Sequence, residues 1–435
     1  MPSVYIKTLG CQMNVYDTRM VQGLLRARGY VLCDDPEAAD VILVNSCYVR
    51  EKVKHKVYSL LGRYRLLRRR HPGVILGMWG CLVQRAGEDV LQRAGDLDLI
   101  VGTHNLHRIP DLLAQVTASG EQVYEVWPEG VIPEGLPVYR EHPVSAFVPV
   151  IRGCNNFCTY CNVPYCRGRQ VSRTPDRVLA EIRALSECGC AEVTLLGQNV
   201  NAYGKDHPGF PDFASLLRQV HEIARIRRIR FLTSHPRDLT DRLIATMAGL
   251  PKICPHLHLA LQSGSNSVLG RMGRGYTRER YLELVAALRR AVPEVSLTTD
   301  LIVGFPGERE TNFEDTLDMV ERVRFDGAFA FVFSPLPGTR AAGFTGQIPR
   351  AVAGERLRRL IGLQQRITRE QNQTLVGRTE EVLVEGVAPK GTQDLQGRTA
   401  GNKIVVFPGT RDLIGRMVTA RIDAGGCWAL QGSLP

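Results

Sequence analysis

Three cysteines set close together pose the first chemical question. Gly153-Cys154-Asn155-Asn156-Phe157-Cys158-Thr159-Tyr160-Cys161 gives C-x3-C-x2-C spacing just after the apolar run Phe147 to Ile151. Three thiolates are one too few for a closed four-ligand zinc site, which usually pairs its cysteines as C-x2-C. They suit an iron–sulfur cubane with one iron left open. An open iron is a place where a small molecule can bind and be cleaved.

A second set of thiols is spread along the first hundred residues. Val4 and Ile6 alternate in a short strand that ends at Gly10-Cys11. The continuous apolar run from Asp40 to Val44 leads into Asn45-Ser46-Cys47, and Val74 to Trp79 leads into Gly80-Cys81. Such runs predict strands buried on both faces of a parallel sheet. In an open parallel sheet, ligands bind beyond the carboxyl ends of the strands, so Cys11, Cys47 and Cys81 are expected to converge there. Three unrelated buried thiols is the bland alternative, and Cys33, which follows no such run, is read as a core thiol.

The elements that must position these groups fall into three stretches. Residues 1–120 read as an open parallel α/β domain, with helical periodicity through Met20, Leu24 and Leu25 stopped by Gly29. Pro128, Pro133, Pro137 and Pro143 mark a boundary segment. Residues 141–370 alternate strands and helices. Strands are expected at Val148–Ile151, Glu192–Leu196, Arg228–Leu232, His256–Leu261, Val295–Val303 and Ala328–Phe333, with helices including Asp176–Glu187, Phe213–Ala224 and Arg278–Ala291. That series predicts an open, partial (β/α)6 barrel with chemistry in the loops after the strands, the cysteine triplet lying in the first of them.

Later strands end in Gly197-Gln198-Asn199, Thr233-Ser234-His235-Pro236, Gln262-Ser263-Gly264-Ser265 and Gly304-Phe305-Pro306-Gly307-Glu308 on the same rim. Glycines there admit a close ligand, and amides and hydroxyls orient it. An amphipathic helix over residues 353–376 leads out of the barrel. From about residue 377 the chain alternates as short strands, including Glu381–Val384, Lys403–Phe407, Met417–Ile422 and Trp428–Leu430, and the domain assigned to residues 372–435 is expected to be a small β-barrel of the kind that binds nucleic acid or merely caps a domain.

Composition narrows the class. The chain has 435 residues, 44% hydrophobic and 23% charged, with no long uninterrupted apolar run and no signal-like N-terminus, so a cytoplasmic protein without a membrane span is expected. Twelve cysteines in a reducing compartment favour metal or redox chemistry over disulfides. A net charge of +11 suits a polyanionic partner. The run Arg63 to Arg70 reads equally as a phosphate footprint or a solvated helix face. Arg398, Lys403, Arg416 and Arg421 are the expected phosphate contacts of the C-terminal barrel. No P-loop or dinucleotide fingerprint is found. His256 and His258 read as a hydrogen-bonded core pair, and Cys166, Cys188, Cys190, Cys254 and Cys427 as structural thiols.

The order of these features resembles the methylthiotransferase family of radical S-adenosylmethionine (SAM) enzymes over essentially the full length. Thr8-Leu-Gly-Cys-Gln-Met-Asn14, Asn45-Ser-Cys-Tyr-Val-Arg-Glu-Lys52 and Cys161-Asn-Val-Pro-Tyr-Cys-Arg-Gly168 are similar to the MiaB branch, which modifies tRNA. Cys-Gln-Met-Asn at the first cysteine separates it from relatives acting on a ribosomal protein or on threonylcarbamoyl-adenosine. Cys166 and Ser46 stand where that branch commonly has Thr. The C-terminal stretch is similar to the TRAM domain, a tRNA-binding barrel.

The resemblance implies two [4Fe–4S] clusters. Cys154, Cys158 and Cys161 would hold the one whose open iron binds SAM, and Cys11, Cys47 and Cys81 an auxiliary cluster carrying the sulfur to be transferred. The implied substrate is N6-isopentenyladenosine beside the anticodon, converted to its 2-methylthio derivative. One SAM would methylate the cluster-bound sulfur, and a second would be cleaved to the 5′-deoxyadenosyl radical. Gln198, Asn199, Ser234 and Gln262 are the expected SAM-orienting residues. Implied partners are the tRNA anticodon stem-loop and an electron donor of flavodoxin or ferredoxin type, with a monomer favoured. A different class, a zinc-stabilised RNA-binding protein whose triads are completed by His142 or His235, would be colourless where an iron–sulfur protein is brown.

Overall fold

The computed structural model describes residues 1–48, 51–140, 144–389 and 394–434. Val49 and Arg50 of the second-cysteine motif, His142 and Pro143 lie outside the described residues. The chain divides into two compact units. The first joins residues 1–142 to 151–173 and 336–342, and the second comprises 143–150, 174–335 and 343–435. The segment carrying the cysteine triplet therefore belongs with the N-terminal unit.

The first unit is built on β1 (Ser3–Thr8), α1 (Gln12–Ala27), β2 (Val31–Leu32), β3 (Val41–Ser46), α2 (Glu51–Arg70), β4 (Ile75–Gly80), α3 (Cys81–Arg93), β5 (Leu99–Val101), α4 (Ile109–Ser119) and β6 (Val123–Glu125). Its strands form one sheet in the order β2-β1-β3-β4-β5-β6, parallel throughout. The expectation of strands buried on both faces holds for β3, which is buried along its whole length. Val41 and Leu43 join Met20, Val21 and Leu25 of α1 and Leu112 and Leu113 of α4. Ile42 and Val44 join Val57 and Leu61 of α2 and Leu82 and Val83 of α3. Each such side chain contributes about 1.5–3 kcal/mol by leaving water. The chain changes direction across the sheet between β1 and β3, and that switch point opens a crevice at the strands' carboxyl ends.

The proline-rich segment is no free linker. The Tyr139 N–H donates to the Arg19 carbonyl at 2.8 Å, and Ile132 is buried in the α1–α4 core.

In the second unit Ser145–Pro149, Glu192–Leu196 and Arg228–Phe231 form one parallel sheet, and His256–His258, Ser296–Val303 and Gly327–Val332 another. Parallel bridges Ile229↔Ile253 and Ser234↔Leu259 join them, as an open partial barrel requires. The first strand starts earlier than the sequence suggests, because Ser145 and Ala146 carry little β signal yet pair with Glu192 and Val193. Ile151–Arg152 instead pairs antiparallel with Val171–Ser172 in the first unit. Helix Arg350–Gln373 leads to a closed barrel of Thr379–Val387, Leu395–Thr399, Ile404–Phe407, Leu430–Ser433 and Met417–Gly425. Its core is Val382, Val384, Leu395, Val405, Phe407, Ala420, Ile422 and Leu430.

Arg228 and Arg230 tie that barrel to the parallel strands. Arg228 donates to the carbonyls of Arg398 and Glu381 at 2.7 Å each, and Arg230 to those of Ala400 and Thr399 at 2.8 and 2.7 Å. Both arginines are buried, and Arg230 also pairs with Glu192 at 2.9 Å.

Candidate cofactor sites

Cys11, Cys47 and Cys81 each follow a strand of the first sheet. Cys11 is the N-cap of α1, Cys47 follows β3, and Cys81 opens α3. Side chains stitch the three strand ends together. Asn14 Nδ2 donates to Asn45 Oδ1 at 2.9 Å, and Asn45 Nδ2 returns a bond to the Asn14 carbonyl at 2.8 Å. Ser46 Oγ donates to the Trp79 carbonyl at 2.7 Å, which fixes β3 against β4. Gly80 has φ +110°, and a Cβ there would lie 2.4 Å from the Ser46 carbonyl oxygen. Only glycine lets the last turn of β4 come this close. Cys11 Sγ lies 3.4 Å from Asn14 Oδ1.

The charged groups around this triad come from far away in the sequence. Asp17, on α1 and 1% exposed, pairs with Arg152 at 3.1 Å and with Arg167 in a close contact. Arg167 ends the short helix Val163–Arg167, is itself buried, and has no oxygen or nitrogen acceptor for Nη2. Beside it, the Cys166 thiol lies 3.5 Å from the Cys81 carbonyl oxygen, and Thr103 Oγ1 donates to the Cys166 carbonyl. The Cys166 thiol hydrogen-bonds the Cys81 sulfur, and with the Arg167 charge it pulls the Cys81 thiol down to about 6 against the cost of burial. The shift is toward the thiolate, the state that binds metal. Cys166, read from sequence as merely structural, sits against a ligand of the distributed triad.

The contiguous triplet is organised by its own backbone. The Asn156 N–H points at Cys154 Sγ at 3.5 Å and the Val163 N–H at Cys161 Sγ at 3.4 Å. The Cys154 N–H donates to the Gly168 carbonyl at 3.2 Å, closing the loop. Gly153 has φ +70°, and a Cβ there would lie 2.1 Å from the Arg169 carbonyl oxygen. Among the described residues, no three His, Cys, Asp or Glu side chains close in on a single metal ion. Amide N–H groups aimed at sulfur, a thiol pulled toward its thiolate and a guanidinium N–H without an oxygen or nitrogen acceptor fit sulfur-rich clusters.

In the second unit the predicted rim carries buried polar atoms without partners. Gln198 Oε1, Asn199 Oδ1 and Ser234 Oγ are all unsatisfied. Asn199 Nδ2 donates to Asp238 Oδ2 at 2.7 Å, so its carbonyl oxygen is the end left over. Thr233 and Gln262 hold φ of +68° and +70°. That region is costly for a β-branched residue, and such strain collects at ligand sites. His235 is buried and its Nδ1 accepts from the Arg237 N–H at 3.2 Å, which leaves the proton on the unpartnered Nε2. Burial first, then the charge of Arg274, pushes His235 down to about 3. Orphaned acceptors beside an orphaned donor fit a zwitterionic guest such as SAM.

The basic residues divide sharply. Lys403 pairs with Asp326 at 2.6 Å and is largely covered, so it is committed to the fold, contrary to the phosphate contact expected of it. Arg398 pairs with Glu385 at 3.0 Å. Arg421 pairs with Asp423 but stays exposed, and Arg416 lines an open cavity of about 420 Å³ with Arg225 and Arg227. On α2, Arg65 and Arg68 bind Asp96 and Asp98, whereas Arg63, Arg69 and Arg70 face solvent. His256 and His258 share the Thr298 hydroxyl at 3.1 and 3.0 Å, as a core pair should.

Asp17, Arg152, Arg167 and His235 were not singled out as site residues by sequence. Arg167 stands within a quoted motif, but its partner Asp17 is 150 positions away. His235 appeared as part of a polar loop and as a possible zinc ligand in the alternative reading, not as a residue of the SAM rim.

Comparison with known proteins gives three family matches. Residues 148–320 match the radical SAM superfamily, residues 3–102 the uncharacterized protein family UPF0004, and residues 373–434 the TRAM domain. The chain is 49% identical over 435 residues to the tRNA-2-methylthio-N(6)-dimethylallyladenosine synthase of Carboxydothermus hydrogenoformans, covering 99% of each chain. It is 48% identical to the enzyme of the same name from Moorella thermoacetica, covering 99% of this chain and 97% of that one. Among solved structures, the radical SAM methyltransferase TsrM of Kitasatospora setae, with cobalamin and a [4Fe–4S] cluster bound, superposes with a TM-score of 0.57 at 13% identity. That match covers 76% of this chain and 75% of that one, and it speaks to fold alone.

Proposed function

The chain belongs to the tRNA-2-methylthio-N(6)-dimethylallyladenosine synthases of the radical SAM superfamily, and on that premise we propose that it converts N6-isopentenyladenosine at position 37 of tRNA to its 2-methylthio derivative. The observation that carries the reading is the pair of cysteine triads in one compact unit, the contiguous one with backbone N–H groups turned toward sulfur and the distributed one beside the buried Arg167 guanidinium. Cys154, Cys158 and Cys161 would hold the [4Fe–4S] cluster that takes SAM, and Cys11, Cys47 and Cys81 the auxiliary cluster.

The adenine C2–H is neither acidic nor attached to a leaving group, so acid–base catalysis has little purchase on it. The clusters and SAM supply the electron, the carbon radical and the sulfur this position needs. The chain's part is to bind and orient. Asn199 and Gln198 offer carbonyl oxygens to the ammonium or ribose hydroxyls of SAM, while Ser234 and Gln262 place further hydrogen bonds at the strand ends. Asp238 holds Asn199 in the orientation that exposes its acceptor.

The anticodon stem-loop is the proposed partner. Arg416, Arg421 and Arg398 are its phosphate contacts, and Lys403 serves Asp326 instead. Residues 1–120, 141–370 and 372–435 act as the auxiliary-cluster, SAM and RNA-binding domains. Among the described residues no helix is long and apolar enough to cross a membrane. A monomer in the cytoplasm, reduced by a flavodoxin- or ferredoxin-type donor, completes the reading.

The test is an anaerobic assay of reconstituted protein with SAM and a strong reductant. Transcripts bearing isopentenyl- or threonylcarbamoyl-adenosine are supplied separately, and the digested nucleosides are weighed by mass spectrometry. A methylthio mass gain confined to the isopentenyl substrate is expected. A gain only on the other transcript would overturn the substrate, and no gain on either, with both clusters loaded, would overturn the tRNA assignment.

A further inference from the structure

Arg167 is buried among groups that the family reaction does not by itself explain. Asp17 is flanked by two guanidiniums, the buried Arg167 and the partly exposed Arg152, so one positive charge is left over around this buried carboxylate. Buried charge is retained only where something compensates it. Cys81 and Cys11, two thiols of the distributed triad, are the sulfur groups nearest to Arg167. Nη1 is held by Asp17, and Nη2 is buried with no oxygen or nitrogen acceptor, the guanidinium's other neighbour being the Cys81 sulfur. An oxidised [4Fe–4S] core bearing three thiolates carries one net negative charge, which matches the surplus.

From this juxtaposition we propose that Arg167 is a positioning residue for the auxiliary cluster: anchored by Asp17, it presents Nη2–H and a fixed positive charge to the cluster's sulfur and holds its reduction potential up. The inference rests on the two-cluster reading above. Hydrogen bonds to sulfur and nearby positive charge both favour the more negative, reduced cluster, and such surrounding groups set cluster potentials. Asp17 anchors the guanidinium through Nη1 while its other oxygen holds Arg152. The arrangement also links the two triads physically. Six residues after Cys161, the same short segment delivers its guanidinium to the other triad.

The experiment uses the full-length chain carrying C154A, C158A and C161A together, so that only the auxiliary cluster is present. After anaerobic reconstitution, iron and sulfide are counted and the cluster is titrated with reductant under electron paramagnetic resonance. R167Q, which keeps donors but loses the charge, is expected to load iron and to titrate at a more negative potential. R167K, which keeps the charge, is expected to stay closer to the parent. An R167Q potential equal to the parent's would overturn the proposal. So would failure of both variants to load with native circular dichroism, since the guanidinium would then serve assembly alone. A parent triple variant that holds no iron would sink the auxiliary-cluster assignment itself, a result distinguishable from an unshifted potential.

Discussion

Beside Cys81 the buried atom without an oxygen or nitrogen partner is a cationic donor, Arg167 Nη2; on the rim of the second unit the leftover atoms are neutral, the acceptors Gln198 Oε1 and Asn199 Oδ1 with the Ser234 hydroxyl and the His235 Nε2–H. The difference follows the guests proposed for the two sites. A cluster with three thiolates is an anion, and a lone cationic donor with a carboxylate brace suits it. SAM brings an ammonium, a carboxylate and hydroxyls, and a mixed neutral set suits those without burying a charge of its own. The two sites are built in opposite ways as well, one from side chains 150 positions apart and the other from the turns that end successive strands.

The strongest way to break the comparison is to remove one ligand from each triad. Cys158→Ala should abolish both 5′-deoxyadenosine release and methylthiolation. Cys47→Ala should abolish methylthiolation while 5′-deoxyadenosine still accumulates, read by chromatography of the same anaerobic reaction. Equal loss of both products from Cys47→Ala would mean that the triads do not act separately.

Next in size is Asp17→Asn. It leaves Arg152 and Arg167 without their carboxylate, and breaking a buried pair on one side costs about 3–5 kcal/mol. Urea unfolding followed by fluorescence of the buried Trp79, in the same unit, should shift by that much. A loss below about 1 kcal/mol, typical of an exposed pair, would show that the charged site is open to water.

His235 tests the neutral site by pH. Burial holds it at about 3 against 6.5 when unfolded, so the unfolded chain binds the extra proton first as pH falls. Its contribution is complete above 6.5 and declines as pH drops toward 3. The loss is about 2 kcal/mol by pH 5, from 1.36 kcal/mol per unit of separation. His235→Asn should flatten the stability profile between pH 6.5 and 5. An unchanged slope would place the proton on some other group.

Much of this was legible because the signal was local. C-x3-C-x2-C needs only spacing, and the distributed triad could be foreseen because each cysteine ends an apolar run. The rim residues were legible for the same reason, as the first polar positions after strands. The Asp17–Arg167 brace was not, because nothing in α1 marks an acidic residue as facing inward until the sheet brings residue 167 over it. Lys403 misled in the opposite way: a lysine in a basic barrel reads as a phosphate contact until Asp326 arrives from another element. Strand Leu395–Thr399 was hidden by its composition. Leu-Gln-Gly-Arg-Thr has almost no apolar alternation, yet it belongs to the barrel because Gly397 lets it approach Leu383 closely, where a Cβ would meet the carbonyl oxygen at 2.3 Å.

The smallest effect is the sharpest test of what the rim is for. Ser234 is 1% exposed and its hydroxyl has no partner, while its backbone is fully engaged with residues 258 and 260. A buried hydroxyl left unsatisfied costs about 1–3 kcal/mol, so a group kept only for folding would gain from becoming Ala. Ser234→Ala should therefore leave ligand-free stability unchanged or raise it by about 1 kcal/mol in urea. The same change should weaken SAM binding to the reconstituted protein by about fivefold, the equivalent of one hydrogen bond of about 1 kcal/mol. Opposite signs in the two measurements identify a hydroxyl held in reserve for a ligand. A loss of stability with unchanged SAM affinity would make Ser234 part of the core, and the neutral site would then rest on Gln198, Asn199, His235 and Gln262.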